Sequence, residues 1–270
     1  MKRFNVAVCL SGQPRTWRGA LPSILHHFQP TDRCQFTFFG HAWAENSWKT
    51  LYSNQQKDYL FERLGAEALE AELKTNLQLA ALLVQPQAEN TVNGRYLTWG
   101  PMLKSAMICN FLKTRHEIVN DVTFDLVVKT RWDSLYEPNS KFEDGLPLRL
   151  HPNALYCETS ADFTREFRLP AIDDISYFGS SQTMDVVDSL YHYLANDQLI
   201  AQLSGGENRV AAYDLVGPGV LLHKWASLRN ILLHTGNFKT PDIVRKGAEE
   251  FSWPEQWAEA RELYLNFEAV

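Results

Sequence analysis

Three charged residues, Lys129, Arg131 and Asp133, follow a short apolar run, Leu126 to Val128, within the stretch Phe-Asp-Leu-Val-Val-Lys-Thr-Arg-Trp-Asp-Ser-Leu-Tyr at 124–136. Side chains of an extended backbone alternate between faces, so a strand continuing through this stretch would put all three on one face. Two cations and a carboxylate would then meet where a buried strand surfaces. In an open α/β sheet, ligands bind outside the carboxyl ends of the strands. A carboxylate there can ligate Mg²⁺ or Mn²⁺ while substrate phosphates supply further oxygens. Lys129 and Arg131 can neutralise a diphosphate leaving group. The same residues also fit a salt-bridged strand end on the surface, which contributes little.

Other segments carry weaker signals. Ser11-Gly12-Gln13-Pro14-Arg15-Thr16 joins an apolar run to a helical pattern. Backbone N–H groups of a glycine-containing loop and of a helix start suit phosphate, and Arg15 adds charge. Neither a Walker A motif nor GxGxxG is present, so an ordinary tight βα turn is the better reading of the segment taken alone. Asp173 and Asp174 precede Ile-Ser-Tyr-Phe-Gly-Ser and can ligate a metal or accept from sugar hydroxyls. Glu207 follows Gly205-Gly206 and offers a base or an acceptor-binding carboxylate. The eight histidines form no HxH or HExxH pattern; His41, in Phe-Gly-His-Ala-Trp, can reach a site at its strand's end, and His223 or His234 can complete a metal shell, although a structural histidine is the commoner case. Trp43, Trp48, Trp99 and Trp132 can stack on a base or sugar, although most tryptophans are core.

The elements that must hold these residues can be read from pattern. Phe4–Leu10 is a first strand, and Thr16 can cap a helix from about Trp17 to Phe28. Gln35–Trp43 is an aromatic second strand. Residues 56–74 have helical spacing, and Leu79–Val84 is a short strand. Asn90–Arg95 is a polar loop. A long helix from about Trp99 to Val119 takes Pro101 in its first turn. The strand at 125–129 leads into the charged residues, and 137–152 is turn-rich. Ala154–Glu158 and Ile172–Phe178 are further strands, Ser180–Leu203 is mostly helical, and Val216–Leu222 is apolar. Alternating strand and helix predicts a mostly parallel α/β sheet flanked by helices. The carboxyl-terminal part is more irregular. A single domain over 1–270 is expected, with a nucleotide-binding half to about 135 and an acceptor-side half after it.

Composition narrows the field. The 270 residues are 45% hydrophobic and 21% charged, with net charge −6, which argues against a dedicated nucleic-acid surface. The first fifty residues nevertheless hold six Lys/Arg against two acids, while 241–270 hold three against seven. An anionic ligand therefore suits the amino-terminal half. Cys9, Cys34, Cys109 and Cys157 have no zinc spacing and read as buried thiols, which fits a cytoplasmic setting. No signal peptide is apparent, and no apolar run approaches the roughly 20 residues that span a bilayer.

Taken in order, these residues resemble a family. The order is a strand with Ser-Gly-Gln-Pro-Arg-Thr, an aromatic strand ending His-Ala-Trp, a helix with Lys104 and Ala106, the Lys-Thr-Arg-Trp-Asp stretch, then Asp-Asp-Ile-Ser-Tyr-Phe-Gly-Ser with Met184 shortly after. Over roughly residues 4–205 this is similar to a group of bacterial and viral glycosyltransferase-like proteins of GT-A type. The resemblance implies a Rossmann-like half that binds a nucleotide-sugar donor and a transfer reaction to a glycan or small molecule. It places Ser11, Gly12, Gln13, Arg15, Thr16, Lys104 and Lys129 with the nucleotide and diphosphate. Arg131, Asp133, Asp174 and Glu207 are placed in catalysis. GT-A enzymes usually hold Mn²⁺ or Mg²⁺ with an Asp-x-Asp motif. Here Asp133 matches the second acid and is the expected metal ligand, while Arg131 stands in place of the first. Two alternatives remain open: a GT-A-shaped domain that binds nucleotide or glycan without turnover, and an enzyme acting on DNA bases.

Overall fold

The structure, a computed structural model, describes residues 3–14, 16–44, 65–86, 91–92, 95–96, 100–159, 171–194, 218–235 and 241–243. Seven strands form one sheet: β1 (Phe4–Gly12), β2 (Cys34–Ala44), β3 (Leu79–Pro86), β6 (Leu126–Arg131), β8 (Ala154–Thr159), β9 (Ile172–Gly179) and β10 (Leu232–Thr235), in the order β10-β8-β9-β6-β1-β2-β3. Two small ladders lie outside it. One joins β4 (Thr91–Val92) to β5 (Arg95–Tyr96), where a loop was expected, and the other joins β7 (Ser134–Leu135) to β11 (Asp242–Ile243). Only β9 runs against its neighbours β6 and β8; every other pairing in the large sheet is parallel.

Strands buried on both faces read as continuous apolar runs, and β1 does so from Val6 to Leu10. Its alternation supplies two cores. Val6, Val8 and Leu10, with Leu126 and Val128 of β6, pack beneath α1 (Trp17–His27) and α2 (Ala66–Asn76). Ala7 and Cys9, with Val127 and Tyr177, pack beneath α3 (Gly100–Asn120), α4 (Ser181–Asp188), the short α5 (Leu190–Tyr193) and α6 (Pro218–Leu228). The result is a mostly parallel sheet between two helical layers, the α/β architecture expected. A 3₁₀ turn, Phe142–Gly145, closes the turn-rich segment.

Local rules explain several boundaries. Ser180 caps α4 by accepting from the Thr183 N–H at 3.1 Å. Thr16 occupies the cap position of α1 but its side chain makes no capping bond, contrary to expectation. Gly219 lets α6 lie directly on β9, because a Cβ there would stand 2.1 Å from the Ile172 carbonyl.

Candidate functional site

From β1 the chain adds β2 and β3 on one side of the sheet, then returns to add β6 on the other. The crevice outside the carboxyl ends of strands at such a reversal is where open α/β sheets take ligands. The β1 end is Ser11-Gly12 and the β6 end is Arg131. Ser11 pairs in register with Arg131 on one side and His41 on the other, so the three form a row across the carboxyl edge. The structure thus brings together the two segments singled out from sequence.

The strand does not continue to Asp133. It stops at Arg131, and Trp132-Asp133 form a turn before β7. Trp132 drives this departure. Its indole is buried, donates to the His41 carbonyl at 2.9 Å, and lies where a Cβ on Gly40 would be only 2.8 Å from the ring. Trp132 and Trp43, both 1% exposed, are therefore core rather than stacking platforms. The turn folds Asp133 back onto Arg131: Nε donates to Oδ1 and Nη2 to Oδ2, each at 2.8 Å. Asp133 is fully buried, while the Arg131 side chain stays 15% exposed. Burial opposes the guanidinium charge, but Asp133, with Asp174 and Asp173 adding to it, more than offsets this and raises the pKa of Arg131. A guanidinium has five N–H donors. Two are spent on Asp133, leaving 5 − 2 = 3 for other acceptors.

That clamp bears on the expected metal. A metal bound at Asp133 would have to displace a bidentate guanidinium from a carboxylate with no solvent exposure. Among the described residues no group of three His, Cys, Asp or Glu side chains is arranged to hold a metal ion. The residues present do not fit an ion held at Asp133.

Lys129, expected to face a diphosphate, is turned inward. It is 1% exposed and donates to the backbone carbonyls of Asp174 and Ile175, the latter at 3.2 Å. Its Nζ lies 5.2 Å from the Tyr177 ring centroid, and the Tyr177 hydroxyl donates to Asp188 Oδ1 at 2.8 Å. Burial lowers the Lys129 pKa to about 8 despite Asp174. Across from Arg131, Asp173 and Asp174 are half-buried at the start of β9. Asp173 Oδ1 accepts from the Ile175 N–H at 2.9 Å, and burial raises its pKa to about 6. Among the described residues no donor reaches the Asp174 carboxylate. Fully ionised, Lys129, Arg131, Asp133, Asp173 and Asp174 sum to −1 (two cations, three anions). The cluster alone is therefore no anion trap, and a phosphate must also draw on what surrounds it.

Those surroundings are the starts of α1 and α3, whose N–H groups open on the same edge and favour anions. The α3 start is tied to the strand ends: the Trp43 indole donates to the Pro101 carbonyl at 3.1 Å, and the Gly12 N–H donates to Ser105 Oγ at 2.6 Å. Gly12 adopts φ +103°, which favours glycine. Its N–H is thus engaged by Ser105 instead of being offered to a phosphate. Ser11 is 2% exposed, with its hydroxyl on the Thr130 carbonyl at 3.4 Å. Lys104, half-buried in the first turns of α3, holds its ammonium 5.9 Å from the Trp43 ring centroid. Gln13 and Thr16 flank this region, half-buried. Arg15 and Glu207 lie outside the described residues.

Sequence reasoning missed Ser105. It bridges Gly12 to His41, whose Nδ1 lies 2.5 Å from Ser105 Oγ. Burial, then Lys104, lowers the His41 pKa to about 3, so the imidazole is neutral, and its buried Nε2 has no partner among the described residues. Lys113 was missed too. Wholly buried, it bonds Ser181 at 2.6 Å, Asp185 at 2.8 Å and Glu117 at 3.0 Å, fastening α3 to α4. One signal existed: Ser105, Asn110 and Lys113 interrupt the buried side of an otherwise apolar helix face.

No family model matches the chain, and no curated protein does. Among solved structures the chain is similar to the apo crystal structure of mouse xyloside xylosyltransferase 1, with 10% identity and a TM-score of 0.45 over 98% of this chain and 93% of that one. Among the described residues no helix is long and apolar enough to cross a membrane.

Proposed function

We propose that the chain is a GT-A-type glycosyltransferase that takes a sugar from a nucleotide-sugar donor. The observation carrying this reading is the row Arg131–Ser11–His41 at the switch between β1 and β6, with the starts of α1 and α3 opening on the same edge. Nucleotide would lie along Ser11–Thr16 and Lys104, and diphosphate against the three outward N–H groups of Arg131. Asp174, with Asp173 beside it, would accept from donor-sugar or acceptor hydroxyls. Glu207 keeps the acceptor-side role that the resemblance implies. In this scheme Asp133 acts by orienting Arg131. Rate would come from positioning and from stabilising charge on the departing diphosphate. A glycan or small-molecule acceptor fits the acidic composition better than DNA.

A panel of UDP-glucose, UDP-galactose, UDP-xylose, GDP-mannose and CMP-sialic acid tests this, each with Mn²⁺ or with EDTA. A ligand that binds only the native state raises the melting temperature, and slow donor hydrolysis reports turnover. The expected result is a shift by at least one donor that survives EDTA, plus hydrolysis abolished by Arg131→Ala/Asp133→Ala. Hydrolysis that survives this double substitution refutes the site. The closed Arg131–Asp133 clamp favours one other reading, a GT-A-shaped domain that binds nucleotide without turnover. A melting shift with no hydrolysis or transfer would select it.

A further inference from the structure

The pairing of β6 with β9 stops early. The ladder runs Val127–Gly179, Val128–Phe178 and Lys129–Tyr177, and goes no further. Arg131 and the first half of β9 therefore part company, and the sheet forks at its carboxyl edge. On the other side of β9 the ladder to β8 is irregular too, between Cys157 and Thr159. Strand carbonyls freed in a buried place must find donors. Lys129 supplies them, spanning the fork to the carbonyls of Asp174 and Ile175 with an ammonium that is itself buried. On the opposite face side-chain hydroxyls join β6 to β9: the Tyr136 hydroxyl donates to Thr130 Oγ1 at 2.9 Å and lies 3.5 Å from Ser176 Oγ.

The geometry points to Lys129 as a positioning residue that holds the fork at a fixed opening and so sets Asp173 and Asp174 opposite Arg131. It grips Asp174 by its backbone, which leaves the carboxylate open to a ligand. Lys129 thus acts on the site without touching the donor, in place of the diphosphate contact expected from sequence. The anchor has a second tether behind it, because the Tyr177 ring beside the ammonium is held by Asp188 of α4. The functional half of this inference rests on the donor-binding reading; the mechanical half does not.

The two halves are separated by measuring both in the intact chain. Amide exchange of the 172–178 peptide reads the fork. The ratio of affinities for UDP-glucose, or another panel donor that binds, over its free nucleotide reads the position of the acids. Hydrogen bonds to a charged group typically hold enough free energy for a roughly ten- to hundred-fold effect. Lys129→Met is expected to speed exchange of 172–178 by about that factor and to lose the donor-over-nucleotide ratio while nucleotide binding stays. Asp174→Asn is expected to lower the ratio and leave exchange unchanged, since its carbonyl remains. Lys129→Arg, which keeps charge and donors, restores slow exchange, and Lys129→Gln replaces Lys129→Met if the latter shows no cooperative melt. Unchanged exchange in the Met or Gln variant overturns the proposal. Equal loss of free nucleotide and donor also overturns it, because Lys129 would then bind phosphate directly. If no nucleotide binds the wild-type chain, the donor reading fails, and the exchange measurement still decides whether Lys129 holds the fork.

Discussion

Breaking the Arg131–Asp133 clamp should be far costlier than breaking a surface ion pair. Exposed pairs contribute about 0–1 kcal/mol. Here the carboxylate is fully buried, the guanidinium is 15% exposed, and two hydrogen bonds of 2.8 Å join them. Removing one partner of a buried pair strands the other's charge and costs about 3–5 kcal/mol. That is a large share of a total stability of about 5–15 kcal/mol. Arg131→Met should be the worse single change, because it takes the bidentate cation from the wholly buried Asp133. Asp133→Leu strands a guanidinium that still reaches solvent, so its cost should fall near 3 kcal/mol. Replacing both together removes the stranded charge. The double variant should therefore be more stable than the sum of the single costs allows, by at least about 2 kcal/mol. Urea unfolding followed by circular dichroism measures all four corners of the cycle, with constant m-values as the check that the unfolded reference is unchanged. Single costs below about 1 kcal/mol, or strict additivity, would refute the clamp as described.

Three further outcomes follow from other parts of the site. Ser105→Ala should cost about 1–3 kcal/mol, because it leaves the Gly12 N–H without its acceptor and His41 Nδ1 without its partner; the same unfolding assay reads it. Gly40→Ala should cost about 1–3 kcal/mol by pushing a Cβ to 2.8 Å from both Trp132 and Leu82, and should red-shift tryptophan emission as Trp132 is displaced from its buried seat. Burial raises the Asp188 pKa from 3.8 to about 6. A raised carboxyl pKa means the folded chain binds the extra proton, so this stabilisation is full below about pH 4 and lost as pH rises through 6. Unfolding free energies of Asp188→Asn between pH 4 and 7 should fall by about 2–3 kcal/mol less than those of the parent chain, the part that remains coming from Asp173, whose pKa is also raised to about 6. An identical fall in the variant would contradict the assignment.

Much of the fold was legible because the central strands are buried on both sides. Val6–Leu10 and Leu126–Val128 carry unbroken apolar runs, as strands covered on both faces of a layered α/β sheet do. The neighbourhood of Ser11 and Arg131 followed from strand order. What failed was the continuation past Arg131. Alternation assumes a straight backbone, whereas the turn at Trp132 is set by an indole seated over Gly40 of β2, nearly a hundred residues earlier in the chain. Lys129 was misread for a related reason. A charged residue beside an apolar run looks like a surface residue unless one knows that the neighbouring ladder ends there and leaves carbonyls to be capped. Ser105 and Lys113 were missed because a polar residue that interrupts an apolar helix face signals an irregularity but announces neither its depth nor its partner.

The reversed direction of β9 has a consequence for how such a site can vary. The other strands deliver their last residues to the carboxyl edge, so a changed loop there must still return the chain to a helix and the next strand. β9 delivers its first residues instead, and Asp173 and Asp174 stand at the edge before its ladder with β6 begins at Tyr177. Changes at these first residues precede the Lys129–Tyr177 pairing and so need not displace the β6–β9 register. The side of the crevice opposite Arg131 can thus change in sequence while the ladders of β1 with β2 and β6 stay as they are.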